Sequence, residues 1–96
     1  MSLQNNANVL QILATWAMEK SLLDLGKPTY DKVVEMLKNE YQCTLSDCFE
    51  HPEYLNATLK KLPDNSHVGI VVSITNELKE FLYSTDIKKF INSMVR

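Results

Sequence analysis

A chain of 96 residues that is 45% hydrophobic and 23% charged has the composition of one ordinary globular domain, long enough to bury a core of its own. A net charge of −2 supplies neither the basic footprint of a general nucleic-acid binder nor a polybasic cluster for anionic lipid. No run approaches the roughly 18 apolar residues of a membrane span, and Met1 to Asn8 is polar rather than a signal peptide, so the cytoplasm is the expected location.

The first helix is expected from about Asn6 to Leu25, capped by Asn5 or Asn6 and closed by Gly26 in a left-handed conformation. Its inner face reads as Val9, Ile12, Leu13, Trp16, Ala17 and Leu23. Met18, Leu22 and Leu25 form a second apolar edge. Either a neighbour within the chain covers that edge or it meets a partner, and these three residues are the candidate interaction surface.

Lys27 and Pro28 connect to a second helix over Thr29 to Gln42, with Thr29 as its cap. Tyr30, Val33, Val34, Leu37 and Tyr41 share one face by helical spacing, opposite the charged Asp31, Lys32, Glu35, Lys38 and Glu40. Cys43 to Glu50 reads as a linker with one short turn of helix, capped by Ser46 and favoured by the anionic Asp47. Pro52 opens the next helix, which buries Leu55, Leu59 and Leu62 and stops at Pro63.

Asp64, Asn65 and Ser66 supply turn and cap for a helix from Ser66 to Tyr83. There Val68, Ile70, Val71, Val72, Ile74, Leu78, Phe81 and Leu82 fall within one arc of roughly 200°, wider than the usual stripe, so this helix is expected to be central. Val68, Ile70, Val72 and Ile74 also alternate as a strand would, but from Asn76 to Leu82 only the helical period fits. Ser84, Thr85 and Asp86 then cap a last helix with Ile87, Phe90, Ile91, Met94 and Val95 inside and Lys88, Lys89 and Asn92 outside. The expected fold is all-α, a compact bundle of five main helices forming a single domain.

Chemistry-bearing motifs are few. Cys43, Cys48 and His51, with His67 beyond, are potential soft ligands, but four residues lie between the cysteines and the second pair that would complete a structural zinc site is missing. Buried or free thiols are the expectation, with no metal and no cofactor. No phosphate loop, nucleophile elbow or His-Glu zinc helix occurs, and the carboxylate pairs Asp31/Glu35 and Glu77/Glu80 lie where exposed helix surfaces commonly carry them. No catalytic residue is expected. A helix-turn-helix DNA-binding domain is the alternative, with Lys60/Lys61 and Lys88, Lys89 and Arg96 as its only basic clusters.

Leu23 to Lys27 closing a helix, the amphipathic Val33 to Tyr41, the link Leu45, Ser46, Asp47 leading to Pro52, then Leu55, Leu59 and the ending Leu78 to Tyr83 follow one another in order. From Glu19 to Tyr83 this order resembles a family of small helical domains described as output domains in ammonia-oxidising archaea. Pro63, Asp64 and Asn65 stand where that pattern would have a glycine-bearing loop. The resemblance implies a signalling or regulatory interaction module without catalytic residues; a protein partner, or the chain itself as a homodimer, is the expectation drawn from the edge of Met18, Leu22 and Leu25.

Overall fold

The computed structural model describes residues 6–94, which form five α-helices and two 3-10 turns, with no strand among the described residues. Helix α1 (Asn6–Asp24) closes at Gly26, whose φ of 122° and ψ of 151° are open to glycine and strained for any side chain. Helix α2 (Lys27–Tyr41) starts at once, with Pro28 in its first turn. Thr29 therefore lies inside α2 rather than capping it, because proline's fixed φ suits a first turn that needs no N–H there.

The expected turn forms over Ser46–Phe49, but Thr44 and Asp47 cap it instead of Ser46. The Asp47 carboxylate accepts from the Thr44 N–H at 2.9 Å, and the Thr44 hydroxyl faces the Asp47 N–H at 3.4 Å. Helix α3 (Pro52–Leu59) follows, and Asp64 and Asn65, both at positive φ, reverse the chain into α4 (Ser66–Leu78). The apolar run Val68 to Ile74 is thus helical. Beyond Leu78 the chain tightens into a 3-10 turn, Lys79–Phe81, so the α-helix is shorter than the expected reach to Tyr83. Ser84 caps helix α5 (Thr85–Met94), its hydroxyl accepting from the Ile87 N–H at 3.3 Å. Asn5 and Val95, expected as a cap and a core residue, lie outside the described residues.

One hydrophobic cluster joins all five helices. Helix α1 packs on α2, the Ser46–Phe49 turn, α4 and α5, while the short α3 packs on α2, the same turn, α4 and α5. The faces expected for α2, α3 and α5 are the ones buried: Val33 and Leu37; Leu55 and Leu59; Ile87, Phe90, Ile91 and Met94; α3 stops at Leu59, short of Pro63, and Leu62 is buried from the turn that follows. Tyr41 stacks on Tyr54 with ring centres 4.3 Å apart, fastening the end of α2 to α3. In α4 only Ile70, Val71, Ile74 and Leu78 are buried, while Val68 and Val72 face solvent.

Helix α1 is turned over relative to expectation. Met18 and Leu22 are fully buried together with Ala14, Ala17 and Ser21, whereas Val9, Ile12, Trp16 and Leu23 are 46–68% exposed. Apolar residues surround this helix almost completely, so its own pattern selects no inner side. Its neighbours select it. Ala14, Ala17 and Ser21 are small enough for other helices to approach, and Ser21 donates to the Ser73 hydroxyl of α4 at 2.8 Å, a closeness that Trp16 on the same side would prevent.

Truncating Leu22 to Ala should therefore cost about 2–5 kcal/mol, whereas Leu23→Ala should stay within about 0.5 kcal/mol; urea unfolding midpoints of the two variants decide which side of α1 is inside. A Cβ on Gly69 would meet nothing within 4 Å, so Gly69→Ala should raise stability by about 0.5–1 kcal/mol. Gly26→Ala should lower it by about 1–2 kcal/mol because of the positive φ.

Candidate interaction surface

Of the three residues expected to form a surface, Met18 and Leu22 are core and only Leu25 is exposed, at the end of α1. The exposed apolar side chains lie on the opposite side of the same helix. Val9, Ile12, Trp16 and Leu23 fall within an arc of about 60°, spaced three, four and seven residues apart as in the seam of a coiled coil. They form a ridge about 21 Å long, interrupted by Glu19.

Helices α1 and α4 run antiparallel, since Ser21 meets Ser73, Lys20 meets Glu77, and Leu13 and Phe81 line one hollow further on. Between them, on one flank of the ridge, lies a groove of about 640 Å³ lined by the apolar Ile12, Leu13, Trp16 and Phe81 and by the polar Asn76, Glu77, Lys79 and Glu80. It continues past Leu13 and Phe81 into a second hollow with Val9, Leu10 and Tyr83. On the other flank a shallower groove runs between Ile12, Trp16 and Glu19 and the Ser46 backbone. There Gln11 holds the Ser46–Phe49 turn in place, its amide donating to the Ser46 carbonyl at 3.1 Å.

The distribution of exposed apolar residues over the fold is uneven. Among the described residues every large hydrophobic side chain that is exposed belongs to α1 with Leu25, to α4, or to Tyr83 just beyond it. Helices α2, α3 and α5 turn charged faces outward, with Asp31, Lys32, Glu35 and Lys38 on α2 and Lys88 and Lys89 on α5. Beside the ridge Lys20 lies 3.1 Å from Glu77 and 3.4 Å from Asp24, and hydrogen bonding to Glu77 and then Asp24 holds its ammonium above the usual lysine range.

The other sequence candidates are placed as follows. Cys43 and Cys48 lie against one another, Cys43 partly exposed and Cys48 buried with its thiol directed at the Thr44 carbonyl. Burial pushes both thiols up, Cys48 far above the ordinary thiol range. His51 turns away from them, stacked on Tyr54 at 4.7 Å and paired with Glu53. Among the described residues no three His, Cys, Asp or Glu side chains converge as a metal site would require. Asp31 is paired with Lys27 at 2.8 Å, on the exposed face of α2.

Of the basic clusters, Lys61 is paired with Glu40, and Lys89 sits in a groove with Glu50, Glu53 and Asp86, an acidic setting that opposes phosphate. Arg96 lies outside the described residues. No helix among them is long and apolar enough to cross a membrane. Comparison of the chain with models of known protein families, with curated proteins and with solved structures finds no match.

In the folded protein Cys48 should resist a thiol-alkylating reagent at neutral pH while Cys43 reacts slowly, and both should react fully once the chain is unfolded. Mass spectrometry of peptides from native and denatured samples reads the difference directly.

Proposed function

We propose that this chain is a non-enzymatic interaction module that works through the exposed ridge of α1 and the adjoining side of α4. One observation carries the proposal: among the described residues the exposed large hydrophobics are confined to this one layer, with a half-exposed tryptophan at its centre. Tryptophan and its apolar neighbours dominate binding energy at protein interfaces, where they fill pockets from which water is expelled. A helix ridge with three- and four-residue spacing is the shape that another helix recognises.

The regulatory character of the module follows from the family resemblance between Glu19 and Tyr83, which implies an output role. Use of Cys48 as a small apolar core residue suits a reducing compartment and supports action in the cytoplasm. Support for a non-catalytic role comes from the carboxylates once considered for acid-base work. Asp31 and Glu77 are engaged in surface ion pairs with Lys27 and Lys20.

A photo-crosslinking amino acid placed at Ile12 or Tyr83 should give discrete protein adducts in living cells, while the same group at Lys32 on the charged face of α2 should give none. Absence of adducts from both Ile12 and Tyr83, or equal labelling from Lys32, would remove this reading.

A further inference from the structure

We propose that Cys43 and Cys48 form a thiol-exchange site: Cys43 takes up a small thiol from a low-molecular-weight disulfide, and Cys48 displaces it to close an intrachain disulfide across the turn that follows α2. The site lies on the linker between α2 and α3 and is independent of the function assigned to the α1 ridge.

The fold holds the two sulfurs together. The backbone N–H of Cys43 donates to the Leu37 carbonyl at 3.4 Å and that of Cys48 to the Leu45 carbonyl at 3.0 Å, while Thr44 and Asp47 cap each other between them. Cys48 Sγ lies 3.8 Å from the carbonyl oxygen of Thr44, the neighbour of Cys43 in sequence, and the two thiols are in hydrogen-bond contact. Their access to solvent differs. Cys43 is partly exposed, whereas Cys48 is fully buried beneath the turn. A reagent from solution therefore meets Cys43 first, and the sulfur that Cys48 meets is that of Cys43. This is the asymmetry of an attacking and a resolving thiol.

The surroundings of Cys43 indicate what it meets. It opens into a hollow of about 530 Å³ whose other lining residues are Lys38, Asn39, Gln42 and Thr44. One ammonium with amide and hydroxyl groups suits a small anionic, peptide-like disulfide and offers an apolar reagent nothing. In the first step Cys43 gives its proton to solvent and its thiolate attacks one sulfur of R–S–S–R; the bond from Cys43 to S–R forms as the other R–S⁻ leaves. Cys48 then gives up its proton and attacks Cys43 Sγ, and the second R–S⁻ leaves as the Cys43–Cys48 bond forms. The chain loses two electrons and two protons, and the small disulfide, the oxidant, becomes two thiols. Excess small thiol reverses both steps. Burial is the main obstacle to either thiolate, so the exchange is slow.

The native full chain incubated with oxidised glutathione at about pH 8 and quenched in acid should become a monomer lighter by two hydrogens. Cleavage before Asp47 should leave the Cys43 and Cys48 peptides joined. Cys48→Ala should stop at a glutathione adduct on Cys43, and Cys43→Ala should take up none. If Cys48→Ala folds poorly, early samples of the unaltered chain replace it, since the first adduct must map to Cys43. At one ratio of oxidised to reduced glutathione, the native chain should favour the disulfide at least about tenfold more than the chain in concentrated urea, because the fold already holds the thiols together. A native chain that keeps both thiols free overturns the proposal, as does an adduct that persists on Cys43 with Cys48 present, a first adduct on Cys48, a disulfide between two chains, or equal closure in urea.

Discussion

The close antiparallel contact between α1 and α4 is the constraint on which the rest of the molecule depends. Ala17, Ser21 and Ser73 hold the two helices near enough for the serine hydroxyls to bond at 2.8 Å, and that approach directs Met18 and Leu22 inward and Trp16 outward. With α1 oriented this way, α2 and the Ser46–Phe49 turn pack on its remaining buried flank, and α3 closes against α2 and α5. A hydroxyl pair of this kind contributes only on the order of 1 kcal/mol. Its importance is geometric, since small side chains at the contact decide which face of an otherwise unselective helix joins the core.

The same contact generates the surface assigned to function. Because α1 is apolar nearly all round, burying one side strands the other side in water, and the stranded residues keep the regular spacing of a helical seam. Leaving Ile12 and Trp16 exposed forgoes on the order of 1.5–3 kcal/mol of burial for each. Helices α2, α3 and α5 leave no large hydrophobic exposed, so the chain solves its surface problem elsewhere and leaves it open here. Association with another helical surface would recover that free energy.

The linker between α2 and α3 shows how local chemistry supports the same arrangement. Thr44 and Asp47 cap each other and hold the turn rigid, Cys48 fills the space beneath it, and Gln11 ties its backbone to α1. The cysteines and His51, close in sequence, are divided between this packed turn and the Tyr41–Tyr54–His51 ring stack. Proximity in sequence therefore gives two structural elements here in place of one ligand set.

What the residues determined by themselves is local and periodic. Proline and glycine placed the breaks, Ser84 the last cap, and the apolar spacing of Val33 and Leu37, of Leu55 and Leu59, and of Ile87, Phe90, Ile91 and Met94 named the buried sides of three helices, because each has only one apolar face to bury. The all-α class followed from those patterns together with the helical period that continues past Ile74. Tertiary structure alone decided the orientation of α1, the exposure of Val68 and Val72, and the end of α4 at Leu78. An apolar residue on a helix with two apolar sides carries no record of which side its neighbours can reach. Only the volumes at the helix contacts, small at Ala14, Ala17 and Ser21 and large at Trp16, settle that, and they act between segments far apart in the chain.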